Sequence, residues 1–108
     1  LKPEELPFYA PAERASEIVA QADVLITTGT TLVNDTLDGL LRHLRPGAQA
    51  AVVGPTATLR PAPFARRGAT VVGGARVRAA AALLDLLAEG GSGYHFFGKS
   101  VERVCLCL

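Results

Sequence analysis

The stretch that decides the fold is ADVLITTGTTLVN, residues 22–34. Its first half, Asp23 to Thr28, carries a continuous apolar run, which is typical of a parallel strand that is buried on both faces. A Thr/Gly turn follows, and a helical pattern begins directly after the turn. Such a junction aims backbone N–H groups, hydroxyls and an amide at one point beyond the end of the strand. The stretch therefore predicts part of a ligand-binding edge.

Two further apolar runs, AAVVGPT at residues 50–56 and ATVVGG at residues 69–74, end in much the same way. The pattern predicts strands at 23–28, 49–53, 69–72 and 101–108, and helices at 11–21, 31–44, 63–67 and 75–89. Alternating strands and helices indicate βαβ crossovers with helices on both faces of the sheet. The predicted fold class is α/β: a Rossmann-like three-layer sandwich with a mainly parallel sheet of about four strands. The direction of the last strand stays open.

Local signals add two expectations. Pro3, Pro7 and Pro11 predict an extended, helix-averse lead-in. Within the helix predicted at 31–44, Asp38 and Arg42 are four residues apart, a spacing that favours a weak ion pair.

Composition excludes several classes of function. The chain has 108 residues, enough for one domain with one core, and its net charge of +1 gives no electrostatic reason to expect nucleic acid or an acidic membrane as partner. No apolar run approaches the length of a membrane span. The two cysteines are most simply thiols in a reducing compartment, so we expect a cytoplasmic protein. A start at Leu1 and the lack of methionine favour an excerpt of a longer polypeptide.

The predicted site lies at the carboxyl ends of the strands, where open α/β sheets bind ligands. Thr30 or Thr31 is placed to cap the helix that follows, and the amide of Asn34 is within reach of the same edge. The alternative interpretation is that these residues only cap their own helix. The glycines at the strand ends are open to two interpretations as well, since they either admit a ligand to bare backbone or make tight turns. No dinucleotide-binding or P-loop signature is present.

The remaining chemistry-bearing residues carry weaker signals. Cys105 and Cys107 share one face of the last strand and are metal ligands or, as the favoured interpretation, small apolar core residues. Arginines cluster beside the predicted edge as anion clamps or solvated charges; Arg60 and Arg76 stay open, whereas solvation is favoured for Arg66 and Arg67.

The motifs at residues 22–34, Val53 to Thr56 and Gly73 to Val77 resemble the putative heavy-metal chelation family, a group of prokaryotic proteins with a Rossmann-like C-terminal domain. The resemblance implies a two-domain protein, of which this chain lacks the partner domain and the first strand-helix unit of its own domain. It also implies a transition metal, or a small molecule that bears one, as the ligand. The site residues that it carries over are Thr28, Gly29, Thr30, Thr31, Asn34, Gly54, Pro55 and Thr56.

These residues offer hydroxyl, amide and backbone groups, which suit a small polar or anionic ligand better than a soft metal. Our hypothesis gives the anion contact to the backbone N–H groups of Gly29 to Thr31 and an orienting hydrogen bond to Asn34. One alternative is a nucleotide- or S-adenosylmethionine-dependent transferase fragment. Another is a structural half-domain that completes its sheet with another chain in an oligomer. As macromolecular partners we expect a second copy of the chain, in a homo-oligomer, or the missing N-terminal domain.

Overall fold

A computed structural model describes all residues from Leu1 to Leu108. The chain forms a four-stranded sheet in the order β1-β2-β3-β4. The strands are β1 Val24–Thr28, β2 Gln49–Val53, β3 Val71–Val77 and β4 Val101–Cys107. The helices are α1 Ala15–Gln21, α2 Thr30–Val33, α3 Leu37–Arg42, α4 Pro61–Arg66, α5 Ala80–Ala88 and α6 Gly93–Phe96, with short 3₁₀ segments at Pro3–Phe8, Ala12–Arg14 and Pro55–Ala57.

The sheet is mainly parallel, as predicted. β1 pairs with β2, and β2 with β3, in the same direction. β4 runs antiparallel along the whole of β3, from Val71 opposite Cys107 to Val77 opposite Val101. The structure thus confirms the α/β class and settles the direction of the last strand.

The core lies on one face of the sheet, which we call the inner face. Ala50 and Val52 of β2 alternate onto it and are completely buried, and Phe64 of α4 packs into the same cluster with 4% of its surface exposed. The other members are Leu37, Leu41, Ala57, Ala69 and Val72. Helices α3 and α4 therefore dock on the inner face through their apolar sides.

The opposite, outer face is open beside β1 and β2, which corrects the expectation that β1 is buried on both faces. Ile26 is 73% exposed and Val24 is 55% exposed. The helices that adjoin these strands pack on the inner face. A continuous apolar run reports burial of both faces only where elements cover both.

The helix predicted at 31–44 is divided into α2 and α3, which is a second correction. Asp35 has a φ of 58°, a left-handed conformation that interrupts the helix. The Thr36 hydroxyl donates to Asn34 Oδ1 at 2.6 Å. Asp and Asn visit the left-handed region more readily than most other residues, so the local polar triplet outweighs the apolar periodicity around it.

Three other boundaries differ from prediction. The lead-in contains the 3₁₀ segment Pro3–Phe8 instead of being extended. β3 continues to Val77, because β4 supplies a hydrogen-bonding partner along its full length, and α5 begins at Ala80 instead of residue 75. The link between residues 89 and 101, to which the sequence pattern assigns no element, contains α6. None of the helices combines the length and the apolar character that crossing a membrane requires.

Candidate functional site

Three glycines join the strands at one rim of the sheet. The N–H of Gly29, just after β1, donates to Val53 O at 2.8 Å, and the N–H of Gly54, just after β2, donates to Gly73 O at 2.9 Å. Because β1, β2 and β3 run in the same direction, this rim is their carboxyl side. The predicted convergence of the three glycines is confirmed, although Gly73 lies within β3 and not at its end.

The turn Pro55–Ala57 lies directly over this rim, and the glycines make room for it. A Cβ on Gly29 would lie 2.3 Å from Thr56 Oγ1 and 2.8 Å from Ala57 N. Gly54 has a φ of 136°, which side chains of L-residues rarely permit. Of the two interpretations, the structural one therefore accounts for both glycines: close packing against the turn requires Gly29, and the positive φ requires Gly54.

A similar contact explains the glycine in the middle of β3. A Cβ on Gly74 would lie 2.6 Å from Thr58 Oγ1, which accepts a hydrogen bond from Ala75 N at 2.9 Å. The Pro55–Ala57 turn is thereby fastened to β3 by the residue that follows it.

The threonines at the end of β1 bond mostly to one another. Thr31 Oγ1 is buried and donates to Thr28 O at 2.7 Å. Thr28 Oγ1 lies 3.3 Å from Thr30 Oγ1 and 3.4 Å from the Thr30 N–H. Neither Thr30 nor Thr31 caps α2 through its side chain. Thr28 and Thr30 keep exposed hydroxyls at the rim, and Thr56 is exposed beside them.

The structure places Asn34 apart from this group. It follows α2, and its amide oxygen accepts from Thr36. It lines a cavity of about 600 Å³ between α1 and α3, with Glu13 and His43. His43 Nδ1 is 2.6 Å from Gly39 O, so the ring forms a hydrogen bond with a backbone carbonyl of α3 at the C-terminal end of that helix.

A cavity of about 470 Å³ opens between α2–α3 and α4 on the inner side of the rim. Leu32, Leu37, Leu59 and Phe64 form its apolar wall, and buried Thr31 reaches it from the rim. Its volume is within the range of small-molecule sites. The sequence did not point to this cavity, because its walls come from segments about thirty residues apart that only the fold brings together.

Four charged side chains line the same cavity. Arg67 Nε contacts Asp38 Oδ1 at 2.5 Å. This pair replaces the predicted Asp38–Arg42 pair and shows that Arg67 is not merely solvated. Arg60 and Asp35 take part in no salt bridge and no side-chain hydrogen bond. Arg60 is therefore the cation that is available to a ligand.

Arg76, the other arginine left open by the sequence, is committed to structure. Arg76 and Arg78 both pair with Glu102 on the neighbouring strand, and Arg78 Nε donates to Glu102 Oε2 at 2.8 Å. Desolvation of the carboxyl opposes its ionisation, but hydrogen bonds and positive charge from the two arginines together outweigh it and hold the pKa of Glu102 below its ordinary value.

This cluster predicts a pH dependence of stability. The pKa of Glu102 is lower in the folded state than in the unfolded state, so ionised Glu102 stabilises the fold. This stabilisation is fully present above the unfolded-state pKa of about 4.3 and is lost as the pH falls through the lower folded-state pKa. We expect Glu102→Gln to flatten the acid limb of the unfolding free energy in urea titrations from pH 6 downward. Glu89→Gln, at an exposed carboxyl without an ion pair, is the control. Identical acid limbs for wild type and Glu102→Gln would contradict the assignment.

A smaller cavity of about 150 Å³ lies on the outer face, beneath Phe97. Gly54, Pro55 and Cys105 reach it, and the Arg103 guanidinium lies 4.5 Å from the centre of the Phe97 ring. Cys105 and Cys107 are free and exposed. The favoured prediction that they are core residues is therefore wrong, because both side chains project onto the outer face of β4 and are not covered there.

The side chains of this protein do not form a resident metal centre with three or more ligands. Nowhere do three or more His, Cys, Asp or Glu side chains gather closely enough to hold an ion. The rim presents hydroxyls and backbone groups, which are hard donors without a carboxylate among them. The predicted rim residues thus do not fit a closed heavy-metal site.

Comparison with known proteins connects the fold to one family. No functionally curated protein matches the chain. A DUF364-family protein of unknown function from Pyrococcus horikoshii matches 92% of this chain with a TM-score of 0.80 and 20% identity, and a second from Desulfitobacterium hafniense matches 91% with a TM-score of 0.76 and 24% identity. The chain spans 40% and 38% of their respective lengths. The model of that family, described as "Putative heavy-metal chelation", matches residues 1–106, and the chain therefore belongs to the DUF364 family.

Proposed function

We propose that this domain binds a small anionic ligand in the cavity between α2–α3 and α4, beside the carboxyl rim of the sheet. The observation that carries the proposal is Arg60, a guanidinium without an ion-pair partner on the wall of a mainly apolar cavity of about 470 Å³. An arginine in such surroundings binds a carboxylate or phosphate through two parallel hydrogen bonds.

The polar groups of the cavity support a ligand with more than one charged group. Asp35 lines the same wall, also without a partner, in a left-handed conformation that non-glycine residues adopt only at a cost. Its carboxylate is placed to accept from a cationic or hydroxyl group. The Asp38–Arg67 pair closes one side and leaves Arg60 as the recognition group for the anion.

An extended ligand in this cavity would also contact the exposed rim hydroxyls of Thr28, Thr30 and Thr56. The Gly29 N–H donates to Val53 O and is not available to an anion. Of the backbone N–H groups in our hypothesis, those of Thr30 and Thr31 remain as candidate anion contacts.

Membership in a family described by metal chelation extends the proposal to the kind of cargo. A heavy metal reaches this cavity as the complex of a small anionic chelator, whose carboxylates bind Arg60 while the chelator supplies the metal ligands. This route fits the donor set better than a bare ion, because the rim lacks a closed group of metal-binding side chains.

The test uses citrate and its nickel complex as probes, measured by titration calorimetry at low salt. We expect wild type to bind citrate, and Arg60→Gln to weaken binding about tenfold or more, since a charge-assisted hydrogen bond contributes about 1.5–3 kcal/mol. Arg66→Gln is the matched control, because it removes the same charge at the opposite end of α4 and outside the cavity. Equal affinities for the two variants, or no binding by wild type of citrate, nickel citrate or inorganic phosphate, would refute the proposal.

A further inference from the structure

The two cysteines form a pair of thiols on one face of β4. Alternate residues of a strand point to the same side, so Cys105 and Cys107 project together onto the outer face. Both are free and exposed. Their cross-strand neighbours are Gly73 and Val71, and a Cβ on Gly73 would lie 3.6 Å from Cys105 Sγ. Since Gly73 has no side chain, nothing from β3 stands against this sulfur.

The spacing of the two thiols is too wide for a disulfide but fits a metal ion that bridges both sulfurs. Residues two apart on a strand are separated by about 6.6 Å, and their Cβ atoms point in parallel. A disulfide needs Cβ atoms about 3.5–4.5 Å apart, so this strand cannot form one without distortion. An ion with two sulfur bonds of about 2.3 Å places the sulfurs about 4.6 Å apart. Rotation of both side chains about their Cα–Cβ bonds brings the sulfurs within that span.

The surroundings match the charge of such a complex. Two thiolates around a monovalent ion carry one negative charge in total. Arg103 lies two residues before Cys105 on the same face, held over the Phe97 ring at 4.5 Å. Its guanidinium provides the compensating positive charge, while the exposed position leaves the sulfurs open to an incoming ion.

From this arrangement we infer that Cys105 and Cys107 form a two-thiolate site for one soft monovalent metal ion, of the class of Cu(I) and Ag(I). Thiolates select soft metals, and two thiolates complete the coordination of a two-coordinate ion, whereas structural zinc is four-coordinate. Binding forms two S–metal bonds and releases two protons, with no electron transferred. The site lies on the opposite face of the sheet from Arg60 and does not rest on the proposed anion cavity.

The experiment titrates the reduced 108-residue protein with Ag(I) in a weakly buffered, non-coordinating solution, with native mass spectrometry and a pH electrode as readouts. We expect one ion per chain and two protons released per ion. The matched control exchanges two neighbours, as the double variant Cys107→Leu/Leu108→Cys. It keeps the composition and both thiols but places them on opposite faces, since the Leu108 N–H donates to Thr70 O at 2.9 Å and continues the pairing of β4.

Loss of the chelating pair is expected to weaken Ag(I) binding about a hundredfold or more in the exchanged variant, and equally in Cys105→Ser and Cys107→Ser. Circular dichroism verifies that each variant remains folded, and Arg60→Gln is expected to bind Ag(I) like wild type. Equal affinity of wild type and the exchanged variant would overturn the inference. So would tight binding of Zn(II), which would show that further ligands complete the site.

Discussion

Replacing Phe64 with alanine is expected to lower the free energy of unfolding by about 3–5 kcal/mol, the usual cost of removing a buried aromatic ring. Phe64 is 4% exposed and joins α4 to the inner face of the sheet. Only 15 of the 108 residues are buried, so this ring is a large share of a small core. Because a domain of this size has a total stability of about 5–15 kcal/mol, the variant is close to unfolding. Urea denaturation followed by circular dichroism measures the change.

Phe8→Ala is the matched control for this prediction. Phe8 is 89% exposed, so the same substitution removes no buried contact, and we expect a change within about 0.5 kcal/mol. Similar losses for both variants would show that α4 does not anchor the core as described. The comparison also bears on the proposed cavity, since Phe64 forms part of its wall.

The second large effect is expected at the rim. Gly29→Ala adds a Cβ that would lie 2.8 Å from Ala57 N and 2.3 Å from Thr56 Oγ1. The hydroxyl can rotate away, but the backbone nitrogen cannot, so the Pro55–Ala57 turn must move from the end of β1. We expect a loss of about 1–3 kcal/mol, typical of overpacking. Citrate affinity is expected to fall as well, because the turn leads into Leu59 and Arg60 of the proposed cavity.

Gly39→Ala is the control, and its expected effect has the opposite sign. Gly39 lies inside α3, and a Cβ there would meet nothing within 4 Å. Alanine is favoured over glycine within a helix by about 0.5–1 kcal/mol, so this variant is expected to be more stable than wild type. If both variants shift stability in the same direction, close packing at the rim is not the reason for Gly29.

Local patterns were sufficient for much of the fold. β2 was predicted with the bounds that it has, Gln49–Val53, because an apolar run between a Pro-Gly turn and a Gly-Pro turn is a complete local signal. The parallel direction of the first three strands followed from the crossovers between them. Prediction failed where non-local pairing decided the outcome: β4 extends β3 through the glycines at 73 and 74, which sequence alone assigns to a strand end.

The candidate site shows the same division. The sequence indicated that the strand ends converge, and the structure joins Gly29, Gly54 and Gly73 through the backbone. It did not indicate the cavity beside them, since Arg60 and Asp35 belong to separate segments. Charge partners were equally hidden, because Asp38 pairs with Arg67 across the fold and not with Arg42 on its own helix.

The sequence by itself thus determined the alternation of strands with helical segments, the parallel pairing of the first three strands and the rim at which they end, because hydrophobic periodicity and turn chemistry are properties of neighbouring residues. Only the tertiary structure decided which of the two arginines in the cavity stays unpaired, which glycines are required by close contacts with the protein's own backbone, and that the two thiols face outward. These depend on contacts between distant segments, whose energies local sequence does not encode.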